Sequence, residues 1–312
     1  MSASTKTILR GHRLRKRQPG FRPLFTESGD VDQALEKWLN LRPGILLAIP
    51  GRLLQTDSAP RQAGNVTDTK ALLLVGGLGT RLRTLVPSVP KPLAQIGDRP
   101  FLELLVRQLQ TQGIRRLVLC TGYLADQIES EFGDGRDLGV TIEYSREAQP
   151  LGTGGAVKLA QAYLEGAAEF LVMNGDSFLE LDLSELLRFH RTHRGLATMA
   201  VIAVENAARY GTVRVASNHQ ITEFCEKTAS DSPGLINAGA YVFSRALLEC
   251  IPDGPVSLEK DIFPNILDRG VYAAEQRGLF IDIGTPVDYA RAQHLLDRLY
   301  RATPCPPQRL QG

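Results

Sequence analysis

From Lys70 onward, apolar and polar positions follow two alternating rhythms. The run ALLLVGG is continuously apolar and stops at glycine, the pattern of a buried strand. PFLELLVRQLQTQG then puts Phe101, Leu104, Leu105 and Leu109 on one helical face and closes at Gly113. RRLVLCTGY reads as a second buried strand and LADQIESEFG as a helix stopped by Gly133. VTIEYSRE alternates like a strand, GGAVKLAQAYLEG is helical, and FLVMNGD is another buried strand. This alternation predicts an α/β, Rossmann-like fold: a mostly parallel sheet with helices on both faces. ATMAVIAV, YGTVRVA and AGAYVFS add strands with few helices between them, so the C-terminal half is expected to be more mixed. No internal repeat is visible.

Residues 1–68 follow a different pattern and are expected to form a separate N-terminal arm, with the main domain spanning 69–312. The arm's one amphipathic stretch is DVDQALEKWLNLRPG. There Val31, Leu35, Trp38 and Leu39 share a face of a short helix starting near Asp30. Before it, Lys6, Arg10, Arg13, Arg15, Lys16, Arg17 and Arg22 crowd a segment with no acid ahead of Glu27. A solvated arm is the plain reading; a transit peptide or a nucleic-acid-binding arm are the rivals. No methionine falls between Met1 and Met173, so a downstream start near Val66 would need another codon.

Composition narrows the class without choosing a chemistry. The 312 residues are 43% hydrophobic and 22% charged with a net charge of +2, the balance of an ordinary globular protein. Cys120, Cys225, Cys250 and Cys305 lie far apart without zinc-ligand spacing. Free thiols in a reducing compartment, the cytoplasm, are the expectation. No apolar run is long enough to span a bilayer, and ILLAIP is too short and too late for a signal peptide.

The chemistry lies in KALLLVGGLGTRLRTLVPSVPKPLAQIG. In an open α/β sheet, ligands bind beyond the carboxyl ends of the strands. Gly76, Gly77 and Gly79 stand at such an end, where bare backbone can point N–H groups at an anion. A dinucleotide fingerprint would need glycine where Leu82 stands, and no Gly-Lys-Ser/Thr follows to make a Walker loop. Arg81 adds a permanent planar charge, and Lys91 a point charge stiffened by Pro90 and Pro92. A tight turn with two exposed cations is the bland alternative. The combination suits a polyphosphate and a charged leaving group better.

GGLGTRL followed by PKP resembles the signature of the sugar-nucleotidyltransferases, which join a nucleoside triphosphate to a sugar 1-phosphate and release pyrophosphate. The resemblance continues in order through PLGTGGA, FLVMNGD, RYGTV, FCEK, INAGAYVF and FIDIGTP, from Lys70 to about Leu295. Within the family it is nearest to guanylyltransferases acting on manno-heptose 1-phosphate, then to those acting on mannose 1-phosphate. It implies GTP and a sugar 1-phosphate as partners and Mg2+ on Asp176 and Asp282. Arg81 and Lys91 would be catalytic. Leu74, Gly76, Gly77, Gly79, Thr80, Glu147, Gly152 and Thr153 would hold the nucleotide, and Asn174, Gly211, Glu226, Lys227 and Asn237 the sugar phosphate. Neither membrane nor nucleic acid is an expected partner, and a homo-oligomer is left open.

Each assignment has a plainer rival. Asp176 ends a strand and could merely cap the next helix. Asp282, among Phe280, Ile281 and Ile283, is costly to bury without a cation. Asp288 is expected on an exposed helix start. Glu147 could accept guanine N1–H and N2–H or simply be a surface acid. Gly152, Gly154 and Gly155 are expected to let backbone approach the ligand. His190 and His193 are set aside as solvated helix residues. A cytidylyl- or uridylyltransferase, or a silent regulatory subunit of such an enzyme, are the competing functions.

Overall fold

Side-chain alternation along β3 (Lys70–Leu74) sends Ala71 and Leu73 to one face of a sheet and Leu72 to the other, all fully buried. β8 (Glu169–Asn174) repeats this: Leu171 and Met173 face one way, Phe170 and Val172 the other. Strands buried on both faces read as continuous apolar runs, which is why both were legible. The computed structural model describes residues 66–82, 88–226 and 232–303, with two short strands at 47–49 and 52–54.

The chain divides into two units, Met1–Ala63 and Gly64–Gly312. In the first, β1 (Leu47–Ile49) and β2 (Arg52–Leu54) pair antiparallel; the helix expected around Trp38 lies outside the described residues. In the second, β4 (Gln95–Ile96) and β5 (Arg99–Pro100) form a small hairpin ahead of α1 (Phe101–Thr111). Then come β6 (Arg116–Thr121), α2 (Ala125–Phe132), β7 (Thr141–Arg146) and α3 (Gly152–Leu159). After β8 follow β9 (Ser177–Leu179), α4 (Leu183–His193), β10 (Ala197–Val204), β11 (Gly211–Val215), β12 (Ile221–Glu226) and β13 (Gly234–Ser244). β14 (Val271–Glu275), β15 (Phe280–Asp282), α5 (Pro286–His294) and α6 (Leu296–Ala302) complete it.

The main sheet runs β12-β11-β13-β8-β3-β6-β7, with β10 also on β13 and β14 beyond β10. β8, β3, β6 and β7 are mutually parallel. β13 enters antiparallel to β8, and its neighbours mix directions, as the helix-poor second half implied. α1, α2 and α4 cover one face, while α3 and the segment Leu258–Ile266 cover the other.

The chain steps outward from β3 through β6 to β7, then returns to place β8 on the other side of β3. That reversal opens a crevice at the carboxyl ends of β3 and β8. Among the described residues, no helix is long and apolar enough to cross a membrane.

His190 differs from expectation. It is buried, 3% exposed, because α4 turns it toward β10. Ser244 Oγ donates its one proton to the Gly195 carbonyl at 2.8 Å, so it accepts from His190 Nε2 at 3.3 Å. His190 Nδ1 then accepts from Thr198 Oγ1 at 2.9 Å. Burial lowers its pKa to about 4, so it is a neutral core residue.

Candidate active site

A cavity of about 370 Å³ fills the crevice. Leu74, Gly76, Gly77, Gly79, Thr80, Arg81, Lys91, Glu147, Gly152, Thr153, Asn174 and Asp176 all line it, so residues spread over a hundred positions share one wall.

The loop glycines are bare for different reasons. A Cβ on Gly76 would lie 2.7 Å from Glu147 Oε1, and one on Gly79, whose φ is +57°, 3.0 Å from Lys91 Cβ. Gly79 is fixed by its left-handed φ, while at Gly76 the backbone of Gly122 and Thr121 also stands 3.2 and 3.3 Å from the built Cβ. A Cβ on Gly77 would meet nothing within 4 Å, so that glycine simply leaves the cavity open. Thr80 and Arg81 are exposed.

Lys91 opens a turn in which Pro90 O and Lys91 O accept from Leu93 N and Ala94 N, which fixes its direction. Its side chain is 9% exposed. Nζ lies 2.7 Å from Asp176 Oδ2 and 3.6 Å from Asp282 Oδ1. The two aspartates meet because β9 and β15 pair antiparallel: Asp282 faces Ser177, and Ile283 N donates to Asp176 O at 3.0 Å. Asp176 caps no helix; Asp182 does that for α4, accepting from Glu185 N. Gly175 lets the chain leave β8 close beside the end of β3, since a Cβ there would strike Val75 Cγ1 at 2.5 Å. Burial and then the Asp176 charge raise the Asp282 pKa, with Lys91 and the Gly284 N–H at 2.6 Å opposing.

These carboxylates fit a divalent oxygen-seeking cation. Mg2+ uses one or two protein carboxylates and takes the rest of its shell from phosphate and water. Among the described residues, no group of three or more His, Cys, Asp or Glu offers a closed metal site. Asn174 Oδ1, on the same wall, is buried without a partner.

Other residues depart from expectation. Glu147 Oε2 accepts from Leu151 N at 2.8 Å, so the acid shapes the turn into α3 as well as facing the cavity, and burial raises its pKa. Gly154 and Gly155 press on protein: both donate to Val256 O, and a Cβ on Gly155 would lie 2.5 Å from Gly254 O. Gly152 lines the cavity but also presses on Val256 O, 2.7 Å from its built Cβ. Thr153 Oγ1 donates to Glu259 at 2.6 Å, a partner 106 residues away with no local signal. Asn237 holds Tyr241 Oη and Gly239 N and does not line the cavity. Nor does Gly211, which pairs with Glu226. Lys227 lies outside the described residues. Asp288 is buried rather than exposed, because Arg209 grips it with two hydrogen bonds at 2.9 and 3.0 Å.

A switch-point crevice with a glycine loop, two facing carboxylates and flanking cations defines a phosphate-handling α/β enzyme site. The chain belongs to the nucleotidyl transferase family, whose pattern matches residues 70–298. It is similar to the mannose-1-phosphate guanylyltransferase catalytic subunit beta of Drosophila pseudoobscura pseudoobscura, 39% identical over 71% of this chain and 60% of that one. The mannose-1-phosphate guanylyltransferase of Mycobacterium tuberculosis is also 39% identical, over 71% of this chain and 62% of that one. The chain thus spans about three fifths of the length of these curated relatives. The crystal structure of HddC from Yersinia pseudotuberculosis complexed with GMP-PN matches with a TM-score of 0.65 at 33% identity, covering 72% of this chain and 98% of that one.

Proposed function

We propose that the protein transfers GMP from GTP to a manno-configured sugar 1-phosphate, a manno-heptose or mannose, and releases pyrophosphate. The observation that carries this is Lys91 standing between Asp176 and Asp282 beside the glycine-loop cavity. The similarity to guanylyltransferases and to HddC favours guanine. Mg2+ as the metal and the cytoplasm as the compartment belong to the same proposal.

An oxygen of the sugar phosphate attacks the α-phosphorus in line, forming the new P–O bond as the bond to pyrophosphate breaks. That oxygen is already ionised at neutral pH, so no general base is needed, and positioning and charge carry the reaction. The N–H groups of the glycine loop hold the phosphates, and Arg81 neutralises the departing pyrophosphate. Lys91 keeps the two carboxylates in place and discharges the phosphates. Lys227 receives the phosphate of the sugar substrate, Glu226 its hydroxyls and Glu147 the base. A metal held by Asp176 and Asp282 would neutralise charge on the phosphates.

Pyrophosphate release measured across GTP, ATP, CTP, UTP and dTTP with a panel of sugar 1-phosphates tests this reading. GTP with a manno-configured 1-phosphate is expected to give the highest kcat/KM. Preference for another nucleotide, or for a gluco-configured 1-phosphate, overturns it.

A further inference from the structure

The turn that carries Asp282 is flanked on both sides by contacts from two consecutive residues of a different loop. Arg209 and Tyr210 belong to the connection between β10 and β11, far from β15 in sequence. On one side, the Tyr210 ring packs edge to face on Phe280, centroids 5.7 Å apart, two residues before Asp282. On the other, Arg209 makes its paired bonds to Asp288, whose side chain is 9% exposed. Asp288 Oδ2 also accepts from Thr285 Oγ1 at 2.6 Å, which ties the start of α5 to the same anchor. The backbone between Phe280 and Thr285 runs from Ile281 to Gly284, and within it Gly284 N donates to Asp282 Oδ1.

We propose that Arg209 and Tyr210 are positioning residues: they clamp the turn that aims Asp282 and so set the affinity of the carboxylate pair for a divalent cation. This rests on the reading of Asp176 and Asp282 as metal ligands. A planar guanidinium fits a carboxylate bidentately, and that grip fixes orientation as well as distance. Partners bonded directly to a metal ligand typically change metal affinity about 10–100-fold when lost, and this clamp acts one step further out, through the turn, so the lower end of that range applies.

The test is a Mn2+ titration of the full chain without nucleotide, with free Mn2+ followed by electron paramagnetic resonance and folding checked by circular dichroism. The wild type should bind Mn2+, and Asp282→Asn should abolish binding. Arg209→Met should weaken it about tenfold. Arg209→Lys should recover part of the loss, Tyr210→Phe should bind like the wild type, and Tyr210→Ala should bind more weakly. A folded Arg209→Met chain with the wild-type dissociation constant overturns the clamp while leaving the metal site standing. Unchanged binding in Asp282→Asn, or no binding by the wild type, overturns the metal site and the clamp with it.

Discussion

Gly77 lacks a side chain for a reason that lies outside the protein itself. Nothing stands within 4 Å of where its Cβ would be, and its φ is not in the left-handed region. A methyl group there should cost the fold little and intrude only on a ligand. Gly77→Ala is therefore expected to keep the wild-type urea midpoint while kcat/KM falls on the order of 10²-fold, the penalty for misplaced reactants. A kcat/KM within a factor of two would show that the loop does not approach substrate. His190 makes a residue-scale prediction about stability instead. Its ordinary pKa of 6.5 falls to about 4 in the fold, so as pH drops the unfolded chain takes up the proton first. Its contribution is fully present above about pH 6.5 and is lost as pH falls through about 4, amounting to roughly 3 kcal/mol. Urea unfolding at pH 7.5 and 4.5 should show a steeper loss for the wild type than for His190→Asn.

At the scale of elements, α3 begins with a glycine cluster whose members do different work. Gly155 packs against Gly254 O and the Leu151 side chain, so its absent Cβ is a matter of element packing. Gly155→Ala should overpack this contact and cost about 1–3 kcal/mol in urea unfolding. That is the opposite outcome from Gly77→Ala, and an unchanged midpoint would refute it. The same scale explains the paired carboxylates. Neither strand of the β9–β15 ladder is longer than three residues, yet its register sets Asp282 beside Ser177. A shift of one residue would turn Asp282 to the other face.

At the scale of the whole molecule, the motifs all fall within Gly64–Gly312. Thr69 N donates to Val66 O, and Val66 packs against the core of this unit, so a useful truncation must keep Val66. Removing residues 1–63 is expected to leave kcat and both KM values within about threefold, because no described cavity residue is lost. The check is steady-state kinetics on folded, soluble protein. A folded truncation unable to bind GTP would place the first unit in the active site.

Local pattern determined a great deal about this chain. Buried strands show as apolar runs, amphipathic helices by their period, and the glycine loop, Arg81 and Lys91 by close spacing along one stretch. Asp176 stood out as an acid at the end of a buried strand, and Asp282 as an acid within an apolar run. What the tertiary structure alone decided is who meets whom. The Asp176–Lys91–Asp282 group, the Thr153–Glu259 bond and the Arg209–Asp288 grip each join segments about 80 residues apart or more. Burial of His190 and Asp288 likewise depends on partners from other elements. Periodicity reports which face of an element is apolar, but a polar side chain's fate depends on what packs opposite it, and that is set only when the strands find their register.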